Sequence, residues 1–154
     1  MYRRNWLKTL VGSLLAVALI AFFASTVAPL KAHAAALSTP TNYCGAQPND
    51  ANCDGQQPEA QGCTFDASVL KTVPIISGTQ TLGEVEFVYS SHCLSAWTRT
   101  ISNQPATLYA QIIRSDGLSY SMTNNNVTKV HTAMIFASKP LRICGSINGV
   151  SACG

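Results

Sequence analysis

The chain has 154 residues, of which 47% are apolar and 11% charged, with six cysteines and a formal net charge of +3. That apolar content excludes a disordered, solvating chain, and the length suits one principal domain. The positive charge is no sign of a nucleic-acid or anionic-membrane partner: Arg3, Arg4, Lys8 and Lys31 precede residue 35, and six basic residues face seven acidic ones beyond it, a formal charge of −1.

Met1 to Lys8 is basic, Leu10 to Ala24 is apolar, and Ala32-His33-Ala34 places small residues at the two positions an export peptidase reads. Residues 1–34 are therefore expected to be a secretory signal peptide cut after Ala34, with a cut after Ala36 as the alternative. The apolar run is shorter than the roughly 20 residues a spanning helix needs, so no stable membrane anchor is expected after cleavage. Residues 35–43 form a flexible lead, and 44–154 a single disulfide-stabilised β-domain.

Cys44 to Cys63 contains Gly45, Pro48, Asn49, Asp50, Gly55 and Pro58 and reads as loop. Val69 to Ile76 is a strand candidate whose Pro74 assigns it to an edge or a bend. Ser77-Gly78 ends it, and Gly83 opens a central hairpin, Gly83 to Ile101, in which Val85, Phe87 and Tyr89 alternate with Glu84, Glu86 and Val88. A turn centred on Ser91-His92 would set Val85, Phe87 and Tyr89 opposite Thr98, Ala96 and Leu94, and Glu84 opposite Arg99 with Glu86 diagonal to it. Thr107 to Arg114 is expected to turn at Asp116-Gly117, a type I′ signal, into Leu118 to Met122; Asn124-Asn125-Asn126 reads as a further turn and Ala133 to Ala137 as a short buried strand.

The last strands flank Asn148-Gly149. A two-residue type I′ turn there opposes Ile147 to Val150, Ser146 to Ser151, Gly145 to Ala152 and Cys144 to Cys153. The two cysteines fall in a non-hydrogen-bonded pair, with Cα atoms about 4.5 Å apart, within disulfide range. Six thiols allow fifteen pairings; with Cys144–Cys153 assigned, Cys63 is expected to bridge to Cys93 and Cys44 to Cys53 across the Pro48-Asn49-Asp50 turn. No long apolar stripe of helical period is present, so the class is all-β, a small antiparallel barrel or sandwich of six to eight short strands.

Several segments together resemble the YjfA-like family of small secreted bacterial proteins, domain of unknown function 2690. They are Cys53-Asp54-Gly55 with Pro58, Gly62-Cys63 with Asp66-Ala67, Val85 to Ser90 with Cys93, Ala96-Trp97 and Arg99, and Met134 with Leu141 to Cys144. The resemblance implies export and a shared disulfide-rich β-domain, and carries no activity, substrate or catalytic residue.

Candidate binding residues are Trp97, Glu84, Glu86 and Arg99 on the polar face of the central hairpin. Carboxylates two apart beside an arginine more often form a cross-strand ion pair than an acid/base pair, and the indole more often covers that pair than stacks a ligand. Asp66 is expected to cap the turn after Cys63. Beyond residue 34 only His92 and His131 remain; no G-x-S-x-G elbow accompanies them, and no thiol pair has metal-site spacing, so no cofactor or metal is expected. The expectation is a secreted, non-enzymatic binding module for an extracellular ligand or cell-envelope component. The alternatives are a small extracellular hydrolase using Glu84, Glu86 or Asp66, and a secreted inhibitor or toxin-like effector.

Overall fold

The computed structural model describes residues 43–154. The expected signal peptide, its cut after Ala34 and nearly all of the 35–43 lead lie outside the described residues. Among the described residues, no helix is long and apolar enough to cross a membrane.

The domain is almost entirely β. One helical turn, α1 (Asp50–Cys53), precedes β1 (Ser68–Ser77), β2 (Gln80–Ser90), β3 (Ser95–Arg114), β4 (Ser119–His131), β5 (Ile135–Phe136), β6 (Leu141–Ile147) and β7 (Val150–Cys153). The seven strands make one antiparallel sheet ordered β1-β2-β3-β6-β7, with β4 and β5 also on β3. β1 lies at the end of this order, an edge position in which Pro74, lacking an N–H, is tolerated.

β3 has 20 residues. Its amino half pairs with β2 and its carboxyl half with β6, while β4 follows it on the other edge. Register shifts between Ile101 and Leu108 bracket Pro105, and on β4 Asn126 takes a left-handed φ of 56° opposite this break. Asn124 to Asn126 therefore form no turn but an irregularity inside β4, where the ladder bends.

The bend brings the two halves of β3 over one another and turns the sheet into a nearly closed barrel. Thr98 Oγ1 donates to the Gln111 carbonyl and Thr100 Oγ1 to the Tyr109 carbonyl, each at 2.8 Å. Val85, Ala96, Leu108, Ala110, Ile112, Ile143 and Ile147 fill the interior, with Ile75, Val130 and Ile135. The alternating apolar residues of β2 and β3 thus face inward, as the strand period requires.

The hairpin turns divide by how local their causes are. At Asn148-Gly149 both φ values are positive (49° and 86°), as type I′ demands, and Cys144 stands opposite Cys153. At Asp116-Gly117 only Gly117 is left-handed (φ 95°). The Gly117 N–H reaches the Arg114 carbonyl and the Arg114 N–H the Leu118 carbonyl, so the loop is a three-residue turn with a glycine bulge rather than type I′. The β1–β2 connection is itself a hairpin around Gly78-Thr79, with Ser77 opposite Gln80, so β2 begins three residues before Gly83.

The β2–β3 register corrects the expected one by two residues: Val85 faces Thr100, Phe87 Thr98, Tyr89 Ala96 and Glu86 Arg99, and Glu84 lies opposite Ile101. The turn contains four residues, Ser91 to Leu94, with Leu94 left-handed (φ 48°). A shift of two leaves every side chain on its expected face.

Disulfides join Cys44 to Cys53, Cys63 to Cys93 and Cys144 to Cys153. The first two belong to a cap, residues 43–67, laid on the outer face of β2 and β3. Asn49 caps α1 by accepting from the Asn52 N–H, and the cap's Gly55 N–H and Gln56 carbonyl bond to the backbone of Met134. The four cap-side cysteines, Val88, Trp97 and Met134 form a second apolar cluster, separate from the barrel core.

Gly145 sets the distance between β6 and the folded-over β2–β3 pair. A methyl group there would lie 2.3 Å from Thr100 Oγ1 and 2.7 Å from Val85 Cγ2, two short branched side chains with no room to retreat. Gly145→Ala is expected to lower stability by about 1–3 kcal/mol, read as the shift in urea midpoint. A midpoint equal to the wild type would show that the two layers are not in tight contact.

Candidate functional site

The outer face of the barrel carries a polar row across three strands. Glu86 on β2 lies opposite Arg99 on β3, which lies opposite His131 on β4. Arg99 Nε donates to Glu86 Oε2 in an ion pair whose carboxylate residue is only 7% exposed. On the same face, Val88 pairs with Trp97 on one side of this row, and Ile101 with Lys129 on the other.

The cap completes a groove above the row. Arg99, Lys129 and His131 form one wall, Ala67, Val69 and Val88 supply apolar surface, Glu59 and Thr64 come from the cap, and Trp97 contributes to the floor; the volume is about 170 Å³. His131 Nε2 lies 3.3 Å from Glu59 Oε1, and His131 Nδ1 3.1 Å from the Thr132 carbonyl. Both neighbours are acceptors, so a neutral ring can satisfy one of them and an imidazolium both.

Of the four residues expected to bind, the structure brings Trp97 and Arg99 to the groove. Glu86 stands behind Arg99 as its counter-ion, and Glu84 is not opposite Arg99 but beside Ile101, one row away. Trp97 is 4% exposed and packs among the cap disulfides, so its ring face is not available for stacking.

Asp66 does not cap the turn after Cys63. It reaches the β2–β3 turn, accepting from Ser90 Oγ at 2.6 Å, Ser91 Oγ at 2.7 Å and the His92 N–H at 2.7 Å, while Ser90 Oγ accepts from the Cys93 N–H. Six residues of extended strand, roughly 20 Å, separate Ser90 from Glu84, so Asp66 at the turn end of β2 is well away from the Glu84 carboxylate in the middle of the strand. His92 stacks edge-on against Phe65, with ring centres 5.0 Å apart.

Glu59, Lys129 and His131 are the groove residues that sequence reasoning missed. The Lys129-Val130-His131 alternation around a buried Val130 carried the signal for two of them. A second charged cluster was also missed: Arg114, with a side chain 8% exposed, donates to Asp54 at 2.9 Å, Asp50 at 2.5 Å and Asp116 at 3.0 Å. Lys139 adds a bond to Asp116. The Arg114 bond, followed by that of Lys139, holds the Asp116 carboxyl well below the usual carboxylate range. The cluster ties α1 to the end of β3.

Two measurements follow from these contacts. Desolvation pushes the Asp66 carboxyl up, but the bonds from Ser90, Ser91 and His92 together outweigh it and bring it down to about 2. The unfolded value is about 3.9, so this group's contribution is complete above roughly pH 4 and disappears as pH falls through its folded value. The stability gap between the wild type and Asp66→Asn should therefore shrink between pH 4 and pH 2, measured by urea unfolding; a gap constant over that range would exclude the ionised turn bond. On the polar row, Glu86→Ala leaves the half-buried Arg99 without its partner and should cost about 1–3 kcal/mol. Glu84→Ala should change stability by less than about 0.5 kcal/mol, and equal losses for the two would contradict the pairing.

The comparisons with known proteins give a family and no function. No curated protein and no solved structure matches the chain. A family model described as "Protein of unknown function (DUF2690)" matches residues 51–144, a span that takes in every groove residue from Glu59 to His131 and four of the six cysteines. The chain belongs to the DUF2690 family.

Proposed function

We propose that this protein is an extracellular binding module whose ligand enters the groove between the cap and the polar row. The observation that carries this reading is the construction of the groove: a cap cross-linked by two disulfides overlies the one barrel face on which Arg99, Lys129 and His131 converge. The cap closes over apolar surface at Val88, Trp97 and Met134, and beside that seal charged and hydrogen-bonding groups line an opening.

Export is part of the proposal. Its support is the basic, apolar and small-residue zoning of residues 1–34, together with three disulfides of the kind that persist in oxidising compartments. A cell-envelope component or a soluble extracellular molecule is the proposed partner.

Removal of residues 1–34 would also remove Trp6, leaving Trp97 as the single tryptophan and the groove with its own fluorophore. The culture-supernatant form should begin at Ala35 by amino-terminal sequencing, and its fluorescence should change saturably on adding envelope fragments or their soluble extract. Retention of Met1 in a cell-bound form would overturn the export assignment. Unchanged fluorescence, with no co-sedimentation, would overturn the envelope assignment.

A further inference from the structure

We infer that the groove is a receptor for the carboxy-terminal carboxylate of a peptide whose last side chain is small and aliphatic. The inference rests on the binding-module reading above and names the chemistry of its ligand.

Arg99 supplies the anchor. A guanidinium can meet carboxylates along more than one edge, and Glu86 occupies the Nε position. Among the described residues no protein acceptor bonds the Nη groups, which leaves the end of the fork, with two parallel N–H directions, for a second carboxylate. Lys129, one row away on the same face, has no acidic partner among the described residues and adds a mobile positive charge at the rim. Glu59 sits on the cap side, with Oε1 3.3 Å from His131 Nε2, and would repel an anion near that ring. An entering carboxylate is therefore directed to Arg99 and Lys129 rather than to His131.

The rest of the groove selects among carboxylates. A volume of about 170 Å³ is well below the roughly 300–1,000 Å³ of a pocket that encloses a whole drug-sized ligand, so it receives one terminal group of something larger. Ala67, Val69 and Val88 lie close to the cationic wall and offer contact to a short aliphatic chain. A uronic acid would present a ring and favour an open aromatic face, which the buried Trp97 does not provide. A chain terminus fits both requirements, because its carboxylate and its last side chain diverge from one carbon atom, a recurring mode of peptide recognition.

The test is a titration of the purified, isotopically labelled protein with three probes: N-acetyl-valine, N-acetyl-valinamide and glucuronate, followed through the backbone amide resonances. N-acetyl-valine should shift Arg99, Lys129 and Val69 saturably in the millimolar range, with the amide and glucuronate at least tenfold weaker. Lys129→Ala, at an exposed strand position, should weaken N-acetyl-valine several-fold while leaving the remaining spectrum in place, and raised salt should do the same. Equal binding of the amide would overturn the carboxylate assignment, and tighter binding of glucuronate would overturn the peptide assignment. If envelope fragments still perturb Trp97 while N-acetyl-valine shifts nothing, this inference fails and the binding-module reading survives.

Discussion

The domain depends on β3 being paired along both edges. Its edges are taken by β2 and β6 on one flank and β4 and β5 on the other. One face of its amino half looks into the barrel and the other lies under the cap. A strand in this position needs side chains suited to burial on both faces, and Ser95 to Thr98 are all buried. The threonines resolve the resulting conflict between burial and polarity, since Thr98 and Thr100 satisfy their hydroxyls on carbonyls of the same strand after it has bent back. The missing side chain of Gly145 gives that return path its room.

The cap then adds a groove to the outer face of the barrel. Without it, the Glu86–Arg99 pair and its neighbours would be a solvated strip of charge, worth little to stability and of little consequence to a ligand. With it, Glu59 is brought to His131, beside an Arg99 that Glu86 holds in place. The Arg114 cluster and the Cys63–Cys93 bridge fasten the cap at separate points, one near α1 and one at the β2–β3 turn. The groove between them is thus defined by fixed walls rather than by a loose segment.

What could be read from the sequence was decided by the range of each cause. The Asn148-Gly149 hairpin is governed by two adjacent residues, so its register followed from them. The β2–β3 turn is governed by Asp66, which lies 24 residues before Ser90 in the chain, and no local rule reaches that far; the register was misjudged by two. Because strand side chains alternate with period two, the error spared the composition of each face and altered only the partners, which moved Arg99 from Glu84 to Glu86. The groove was less legible still. Glu59 meets His131 only because a disulfide-bound loop crosses the sheet, and the bend in β3 and β4 that sets their ends side by side has no stronger marker than Pro105 and a run of asparagines.

The sulfur atoms under the cap also have a chemical consequence. Sγ of Cys44, Cys63 and Cys93 all lie within 4.8 Å of one another, although they belong to two bridges. Opening the Cys44–Cys53 bond would leave a thiol beside an intact disulfide, and exchange proceeds by that kind of direct attack once the thiol is ionised. Separation therefore does not protect the connectivity in the cap, whose cysteines are all fully buried. Cys144–Cys153, on its own hairpin, takes no part in that trio. A reductant would reach the exposed Cys153 first, whereas the four cap cysteines are fully buried and their two links could trade places only once one of them had opened.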